Sequence, residues 1–446
     1  MFIFWRDFII WEDMEQRISF YTLGCRLNQA ETAILQQSFE DKGYQVVDFK
    51  EPADVVVVNT CTVTENGDAD TRKIVNKINR KNPRVQIALV GCQAQIQREK
   101  LLDMPNVNWV VGNSCKMELA NLLSENFHIN TPQVITPAIP RSSFKISTTG
   151  IDKKHTRANL KVQDGCDFFC SFCIIPFARG RARSREFDDI LKDARALLAA
   201  GHREIVITGI NVGTYQYQNK NFVDVLLRLV ELEGLDRLRI SSIEPTTVSP
   251  EVIELAAENE KICKYFHIPL QSGSNVILKS MNRKYNIEEY CEFLYLISEK
   301  NPGICLGTDV IVGFPGENDE HFEQTYHLLE NLPFAYFHVF SYSERPWAKS
   351  RKLGRQVPKE IVQHRSRQLR MLSAQKRNKF MKKEIGTIQE VLFEQEKKGY
   401  WMGLTDTYIR VKVKSNRKLH NQIFPVSLEK IENNAMYGKL HEDKIF

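Results

Sequence analysis

DGCDFFCSFCIIPFARGRARSR, residues 164–185, sets Cys166, Cys170 and Cys173 at C-x3-C-x2-C spacing and follows them with four alternating arginines. The residues before it, ANLKVQ, read as a β-strand, so the three thiols sit on the loop at a strand's C-terminal end. Folds built from parallel strands and helices keep their chemistry at that end of the sheet. Three thiolates on one loop can wrap a cubane iron–sulfur cluster and leave one iron open to an outside ligand. Zinc is the competitor, but a structural zinc takes four protein ligands. No fourth Cys or His follows in order, and the nearest histidine, His155, lies eleven residues upstream.

Working outward, the chain before this loop alternates apolar runs with helical patterns. ISFYTLGC (18–25), DVVVVNTC (54–61) and VQIALVGC (85–92) each lead into a helical stretch. Continuous Val/Ile/Leu runs of this kind predict a doubly wound parallel sheet, here over residues 18–127. Each run ends in a cysteine: Cys25, Cys61 and Cys92. One such cysteine reads as a small buried hydrophobe, whereas three at the same structural position predict one pocket at the sheet's carboxyl edge. Residues 128–152 carry Pro, Ser and Thr without periodicity and read as a linker. Residues 1–17 are an apolar extension broken by Arg6 and Asp7, without the basic start of a secretory signal.

Beyond the linker, six strand–helix pairs span residues 153–383: ANLKVQDGC, REIVITGIN, RLRISSIEP, YFHIPLQSG, GTDVIVGFPG and AYFHVFSYSE each precede a helical segment. They predict a full or partial β/α barrel, with Asn211, Glu244, Gln271 and Asp309 at or near strand ends. His267 reads as a satisfied core residue, and Cys263, Cys291 and Cys305 as structural thiols. From residue 384 to 446 a period-two pattern predicts a small antiparallel β-barrel.

Composition agrees with an ordinary globular protein: 446 residues, 42% hydrophobic and 26% charged, which excludes global disorder. The net charge of +6 permits a polyanionic partner without demanding one. No run approaches the roughly 18 apolar residues of a membrane helix. Ten cysteines in a chain without a secretory signal point to a cytoplasmic protein that uses its thiols for metals or catalysis. Arg179, Arg181, Arg183 and Arg185, with the Lys/Arg-rich stretch near 357–383, read as a basic rim for phosphates; a salt-bridged face is the alternative.

Taken together, TLGCRLNQAET, VVNTC, VGCQAQ, QDGCDFFCSFCIIPFARGRARSR, ITGIN, SSIEP, HIPLQSGS and TDVIVGFPGE resemble the radical SAM methylthiotransferases across nearly the whole chain from Ile18. TLGC-x-x-N-x-x-ET and LKVQDGC resemble the members that place a methylthio group on C2 of N6-threonylcarbamoyladenosine at position 37 of tRNA. The resemblance implies a partial radical SAM barrel and two 4Fe-4S clusters. Cys166, Cys170 and Cys173 would hold the cluster that reduces S-adenosylmethionine to methionine and a 5′-deoxyadenosyl radical. Cys25, Cys61 and Cys92 would hold the second, which carries or donates sulfur. It further implies that Phe172 packs on adenine, that Thr208, Gly209, Asn211, Ser242 and Glu244 contact the rest of S-adenosylmethionine, and that no side chain beyond the cluster ligands is catalytic. One S-adenosylmethionine would supply the methyl group and another the radical. The last barrel resembles the RNA-binding TRAM domain. Partners implied are tRNA and an electron donor such as flavodoxin or ferredoxin, with a sulfur donor as a further candidate and no membrane. Rival readings are methylthiolation of another tRNA adenosine or of a ribosomal protein, and a non-catalytic iron–sulfur RNA-binding protein.

Overall fold

Four consecutive valines, Val55 to Val58, offer water no polar face, and they form the middle of a parallel sheet buried on both sides. The computed structural model describes residues 16–126, 131–152 and 155–441. Strands β1 (Arg17–Thr22), β2 (Gln45–Val47), β3 (Val55–Thr60), β4 (Gln86–Gly91), β5 (Val107–Val111) and β6 (Gln133–Ile135) lie in the order β2-β1-β3-β4-β5-β6, all parallel. Helices α1 (Arg26–Glu40) and α4 (Leu119–Asn126) cover one face, with Leu35, Phe39, Leu119 and Leu123 on Ile18, Val57 and Trp109. Helix α2 (Glu65–Lys81) covers the other through Ile74, Val75 and Ile78. The sheet is doubly wound.

Winding reverses between β1 and β3, which opens a crevice beyond their carboxyl ends. Cys25 follows β1, Cys61 follows β3, and Cys92 opens the short helix α3 (Cys92–Gln97) directly after β4. The three cysteines therefore leave three neighbouring strands.

Two boundaries differ from the sequence reading. Residues 128–152 are not simply a linker, because Gln133–Ile135 pairs with Trp109–Val111 and covers the edge of β5. A three-residue strand between prolines carries too short a pattern to register in the sequence. Arg17, placed in the extension, begins β1; residues 1–15 of that extension and residues 127–130 lie outside those described.

All six expected strand–helix pairs of the central unit are present. Strands β7 (Arg157–Lys161), β10 (Glu204–Thr208) and β13 (Arg237–Ile240) make one parallel sheet, and β14 (Tyr265–His267), β15 (Cys305–Val312) and β16 (Tyr336–Ser341) another. Single bridges, Leu238 to Ile262 and Ser242 to His267, join them into an open six-stranded arc, a partial barrel. Between β7 and β10, β8 (Gln163–Asp164) and β9 (Arg183–Ser184) form a two-residue clasp that closes the base of the cysteine loop; after β10, β11 (Gln216–Tyr217) and β12 (Lys220–Asn221) form a small hairpin. The loop continues into α5 (Ile175–Arg179). Helices α6 (Phe187–Ala199), α7 (Phe222–Val230), α8 (Pro250–Glu258), α9 (Asn275–Ser280), α10 (Ile287–Lys300) and α11 (Asp319–Asn331) follow the successive strands. Leu191, Leu226, Ile253, Leu294 and Leu329 seal the outer layer on one continuous core.

Helix α12 (Lys359–Lys382) leads to a closed five-stranded barrel of β17 (Ile388–Lys397), β18 (Tyr400–Leu404), β19 (Arg410–Val413), β20 (Ile423–Glu432) and β21 (Ala435–Leu440), ordered β17-β18-β19-β21-β20. It is not wholly antiparallel: β19 and β21 run parallel. A ring with an odd number of strands cannot alternate direction all the way round, so one parallel seam is forced. This barrel docks on the arc through two buried arginines. Arg237 donates to Leu404 O and Glu390 O, and Arg239 to Thr405 O and Asp406 O while pairing with Glu204 at 2.7 Å. We predict that Arg239→Ala, which strands the buried Glu204 carboxylate, lowers stability by about 3–5 kcal/mol in urea unfolding. Limited proteolysis should then cut the chain between α12 and β17 faster than in the wild type.

Candidate active site

At the first three-cysteine set, Gly24 takes a φ of 91°, and a Cβ there would lie 2.8 Å from the Cys61 sulfur. Only glycine lets the Cys25 turn come this close to Cys61. Burial pushes the Cys61 thiol up to about 12, and the neighbouring Cys92 and Cys25 thiols push in the same direction. Asn28, one turn into α1, donates to Leu23 O at 2.7 Å and Thr60 O at 3.1 Å and so ties the β1 and β3 turns together. Thr32 completes the brace, with its hydroxyl 2.8 Å from that of Thr22 and accepting from Asn59 Nδ2. The TLGC-x-x-N-x-x-ET pattern is thus a scaffold for a cysteine turn.

Its glutamate does something larger. Glu31 is fully buried and receives both guanidinium nitrogens of Arg179 at 2.9 Å, Lys161 at 2.8 Å, and Lys116. Asp164 shares Lys161 (2.7 Å), Arg179 (3.0 Å) and Arg183 (3.5 Å). Two carboxylates against four cations leave excess positive charge; burial pushes the Cys25 thiol up as it does that of Cys61, and Arg179 pulls both the other way without reversing it. These cations hold the Glu31 carboxyl well below the usual range despite its burial, and Asp164 is held down the same way.

This network overturns the phosphate-binding role expected of three of the four arginines, Arg179, Arg183 and Arg185. Arg179 is consumed by Glu31, and Arg185 is buried between Asp189 and Asp193 at 2.7 Å each. Arg183 pairs with Asp164 and lies over the Phe144 ring. Arg181 alone stays half exposed, paired with Asp167. Alternation in the sequence showed the charges without the carboxylates that meet them.

In the second set, Gly165 (φ 73°) leaves room for Arg181 O, and Cys166 N donates to Gly180 O. Burial raises the thiols of Cys170 and Cys173, and that of Cys166 to about 11. Arg283, which the sequence reading missed, donates to Cys170 Sγ at 3.2 Å and pairs with Glu244. Nothing in the local pattern MNRKY marks that arginine; it reaches the site only through the fold. The two sets also touch. Ile174 and Ala178 of the second loop pack on Cys92, and Asn113 bridges Ala178 O (2.6 Å) and Cys92 Sγ (3.6 Å).

The expected S-adenosylmethionine contacts collect at the arc's carboxyl ends. Among the described residues Thr208 Oγ1, Asn211 Nδ2 and, next to the expected Ser242, Ser241 Oγ are buried without hydrogen-bond partners. Asn211 Oδ1 accepts from Thr247, and a Cβ on Gly209 would press on Gln163 Oε1. Gln163, a second residue missed, accepts from the Ile210 and Asn211 amides and donates to Gly165 O, so it joins the cysteine loop to ITGIN. Ser242 bridges to His267 through the backbone, and Glu244 is occupied by Arg283. His267 is buried and 3.0 Å from Asp309.

Between the loop after Cys61 and the loop that carries Cys170 and Cys173 lies a cavity of about 180 Å³, lined by Val63 and Thr64 from the first, Phe172 from the second, and Gln271, Asp309 and Ile311 from the arc. It opens into a cleft of about 800 Å³ that shares Thr64 and Phe340 to Ser343. Converging thiols, five of which desolvation makes costly to ionise alone, suit the ligands of a metal cluster, and the orphaned polar atoms beside them suit a polar cofactor. The residues present therefore fit both groups.

Family models match at two places: "Radical SAM superfamily" over residues 160–329 and "Uncharacterized protein family UPF0004" over residues 17–112. The chain is 39% identical over 398 residues to "Threonylcarbamoyladenosine tRNA methylthiotransferase MtaB" of Aquifex aeolicus, covering 89% of this chain and 96% of that one. It is 36% identical over 440 residues to the protein of the same name in Bacillus subtilis, covering 96% and 98%. A "tRNA-2-methylthio-N(6)-dimethylallyladenosine synthase" of Thermodesulfovibrio yellowstonii is 32% identical over 424 residues, 94% and 97% of the two chains. Among solved structures, the radical S-adenosylmethionine methyltransferase TsrM of Kitasatospora setae shares the fold, with a TM-score of 0.55 and 16% identity over 74% of this chain and 75% of that one.

A carboxyl held below its ordinary range stabilises the fold above the unfolded value and loses that contribution as the pH falls below it. Glu31→Gln is therefore predicted to cost about 3–5 kcal/mol at pH 7. Its deficit against the wild type should shrink below about pH 4, as urea midpoints of metal-free protein at pH 7 and pH 3 will show.

Proposed function

Because the chain belongs to the radical SAM tRNA methylthiotransferases, we propose that it adds a methylthio group to C2 of N6-threonylcarbamoyladenosine at position 37 of tRNAs. The observation that carries this reading is a pair of three-cysteine sets that meet where Cys92 packs on Ile174 and Ala178, in a chain matched almost end to end by relatives of that name. C2 of an adenine is an unactivated aromatic C–H carbon with no leaving group, so acid–base or nucleophilic side chains alone do not functionalise it. Two 4Fe-4S clusters and S-adenosylmethionine supply the missing chemistry when bound: electrons, a radical, a methyl group and sulfur.

The chain's own residues bind, orient and insulate. Cys166, Cys170 and Cys173 would hold one cluster, and Cys25, Cys61 and Cys92 the other. Thr208, Gly209, Asn211, Ser242 and Glu244 would seat S-adenosylmethionine, with Phe172 against its adenine and Arg283 fixing Glu244 beside Cys170. Val63 and Ile311 line the cavity and keep water from the reacting base. On the RNA side, the C-terminal barrel serves as a TRAM-like domain, and Arg367, Arg370, Lys379 and Lys382 of α12 remain exposed for phosphates. Flavodoxin or ferredoxin is the proposed electron donor, with sulfur from a separate donor or the second cluster. No helix among the described residues is long and apolar enough to cross a membrane, and we place the reaction in the cytoplasm, where its tRNA resides.

In a deletion strain, nucleoside mass spectrometry should find N6-threonylcarbamoyladenosine without its methylthio group and leave methylthiolated dimethylallyladenosine untouched; the reverse pattern moves the substrate to the other adenosine. In vitro, the Cys25/Cys61/Cys92 triple alanine variant should lose half its iron and sulfide, still release 5′-deoxyadenosine under anaerobic reduction, and make no methylthiolated RNA. A wild type that releases no 5′-deoxyadenosine would instead be a binding protein.

A further inference from the structure

Three aromatic side chains with no role in the site above stand in a row at its rim. Phe169 lies between Cys166 and Cys170, Phe177 is in α5, and Trp347 is on the loop after β16. Phe169 and Phe177 meet edge to face with centroids 6.1 Å apart, and Trp347 tilts toward Phe177 at 5.7 Å. The Arg181 guanidinium, 4.4 Å over Phe169, ends the row. Trp347 is 52% exposed and Phe177 39%. Single exposed hydrophobics are ordinary, but a contiguous row of rings marks a recognition surface.

The backbone holds these rings outward at a cost. Phe169 has a φ of 49° and Trp347 of 65°, the left-handed region that bulky residues avoid and glycine tolerates. The Trp347 loop is pinned from both sides. Arg345 donates to Thr62 Oγ1 (2.7 Å) and Asp68 Oδ2 (2.6 Å), just past Cys61, and Ser350 N donates to Ser171 O (2.8 Å), between Cys170 and Cys173. Trp347 is thereby clamped between the two cysteine loops. Directly after it, Lys349, Lys352 and Arg355 are exposed.

We infer that this row is a base-stacking platform: unpaired bases flanking the target adenosine stack on Trp347 and Phe177, while Arg181 and the Lys349–Arg355 strip meet the adjoining phosphates. The inference rests on the RNA-modifying reading above. Exposed π-faces interleaved with cations are the recognition chemistry of single-stranded nucleic acid. An apolar peptide would call for a groove, not for rings edged by guanidinium.

The test uses the anaerobic holoenzyme and an anticodon stem-loop RNA carrying N6-threonylcarbamoyladenosine, with binding read by fluorescence anisotropy over a salt series. Trp347→Ala and Phe177→Ala should each weaken binding about tenfold without changing the slope of affinity against salt, because stacking releases no counterions. Trp347→Phe keeps a ring and should keep most of the affinity. Trp347→Gly should bind as weakly as Trp347→Ala yet melt no lower than the wild type, since glycine relieves the strained φ. A packing role would instead lower the melting temperature. If the wild type binds the RNA and both alanine variants match it, the platform falls and the methylthiotransferase reading stands. If the wild type neither binds nor modifies the RNA, both fall.

Discussion

Everything in this molecule that resembles chemistry depends on one buried carboxylate. Glu31 belongs to the N-terminal sheet domain, whereas Arg179 and Lys161 belong to the central arc, and their ion pairs close in the absence of water. Such a network contributes little net stability against an apolar packing of the same shape, but it is costly to leave half made. It therefore acts as a registration device: the two units dock in the one arrangement that satisfies every charge. That arrangement sets Cys92 against the loop of Cys166, Cys170 and Cys173 and leaves the cavity lined by Phe172 and Thr64 between that loop and the loop after Cys61.

A reaction that joins sulfur to an unactivated ring carbon needs its radical source, its sulfur and its substrate in one dry space, with little freedom for any of them to react elsewhere. The fold answers with two sheets whose carboxyl ends face each other, each ending in cysteines. Neither sheet makes a complete site alone. The same logic runs through the smaller contacts: Gln163 ties the cysteine loop to ITGIN, and Arg345 ties the loop after β16 to the helix beyond Cys61.

The six cysteines and the parallel strands before them were legible in the sequence because both are local: apolar runs set the strands, Cys25, Cys61 and Cys92 each follow one, and Cys166, Cys170 and Cys173 share the loop after another. Longer-range features were not. The four arginines advertised a surface, since a charge run reveals neither Glu31, 148 residues before Arg179, nor the inward turn that brings the nearby Asp164, Asp189 and Asp193 onto the arginines. Arg283 reaches Cys170 across more than a hundred residues of chain. The strand at Gln133–Ile135 was hidden by its length, and the parallel seam between β19 and β21 by the fact that strand order leaves no mark in residue patterning. Trp347 carried no warning either, because a positive φ at a tryptophan is a property of the assembled loop.

The claim that the two cysteine sets lie against one another is open to a direct magnetic measurement. Low-temperature EPR of the reduced, reconstituted protein is predicted to show signals split or broadened by interaction between two clusters. That spectrum should not be reproduced by adding the spectra of the Cys25/Cys61/Cys92 and the Cys166/Cys170/Cys173 triple alanine variants. A wild-type spectrum equal to that simple sum, or one unchanged by loss of the first three cysteines, would contradict it.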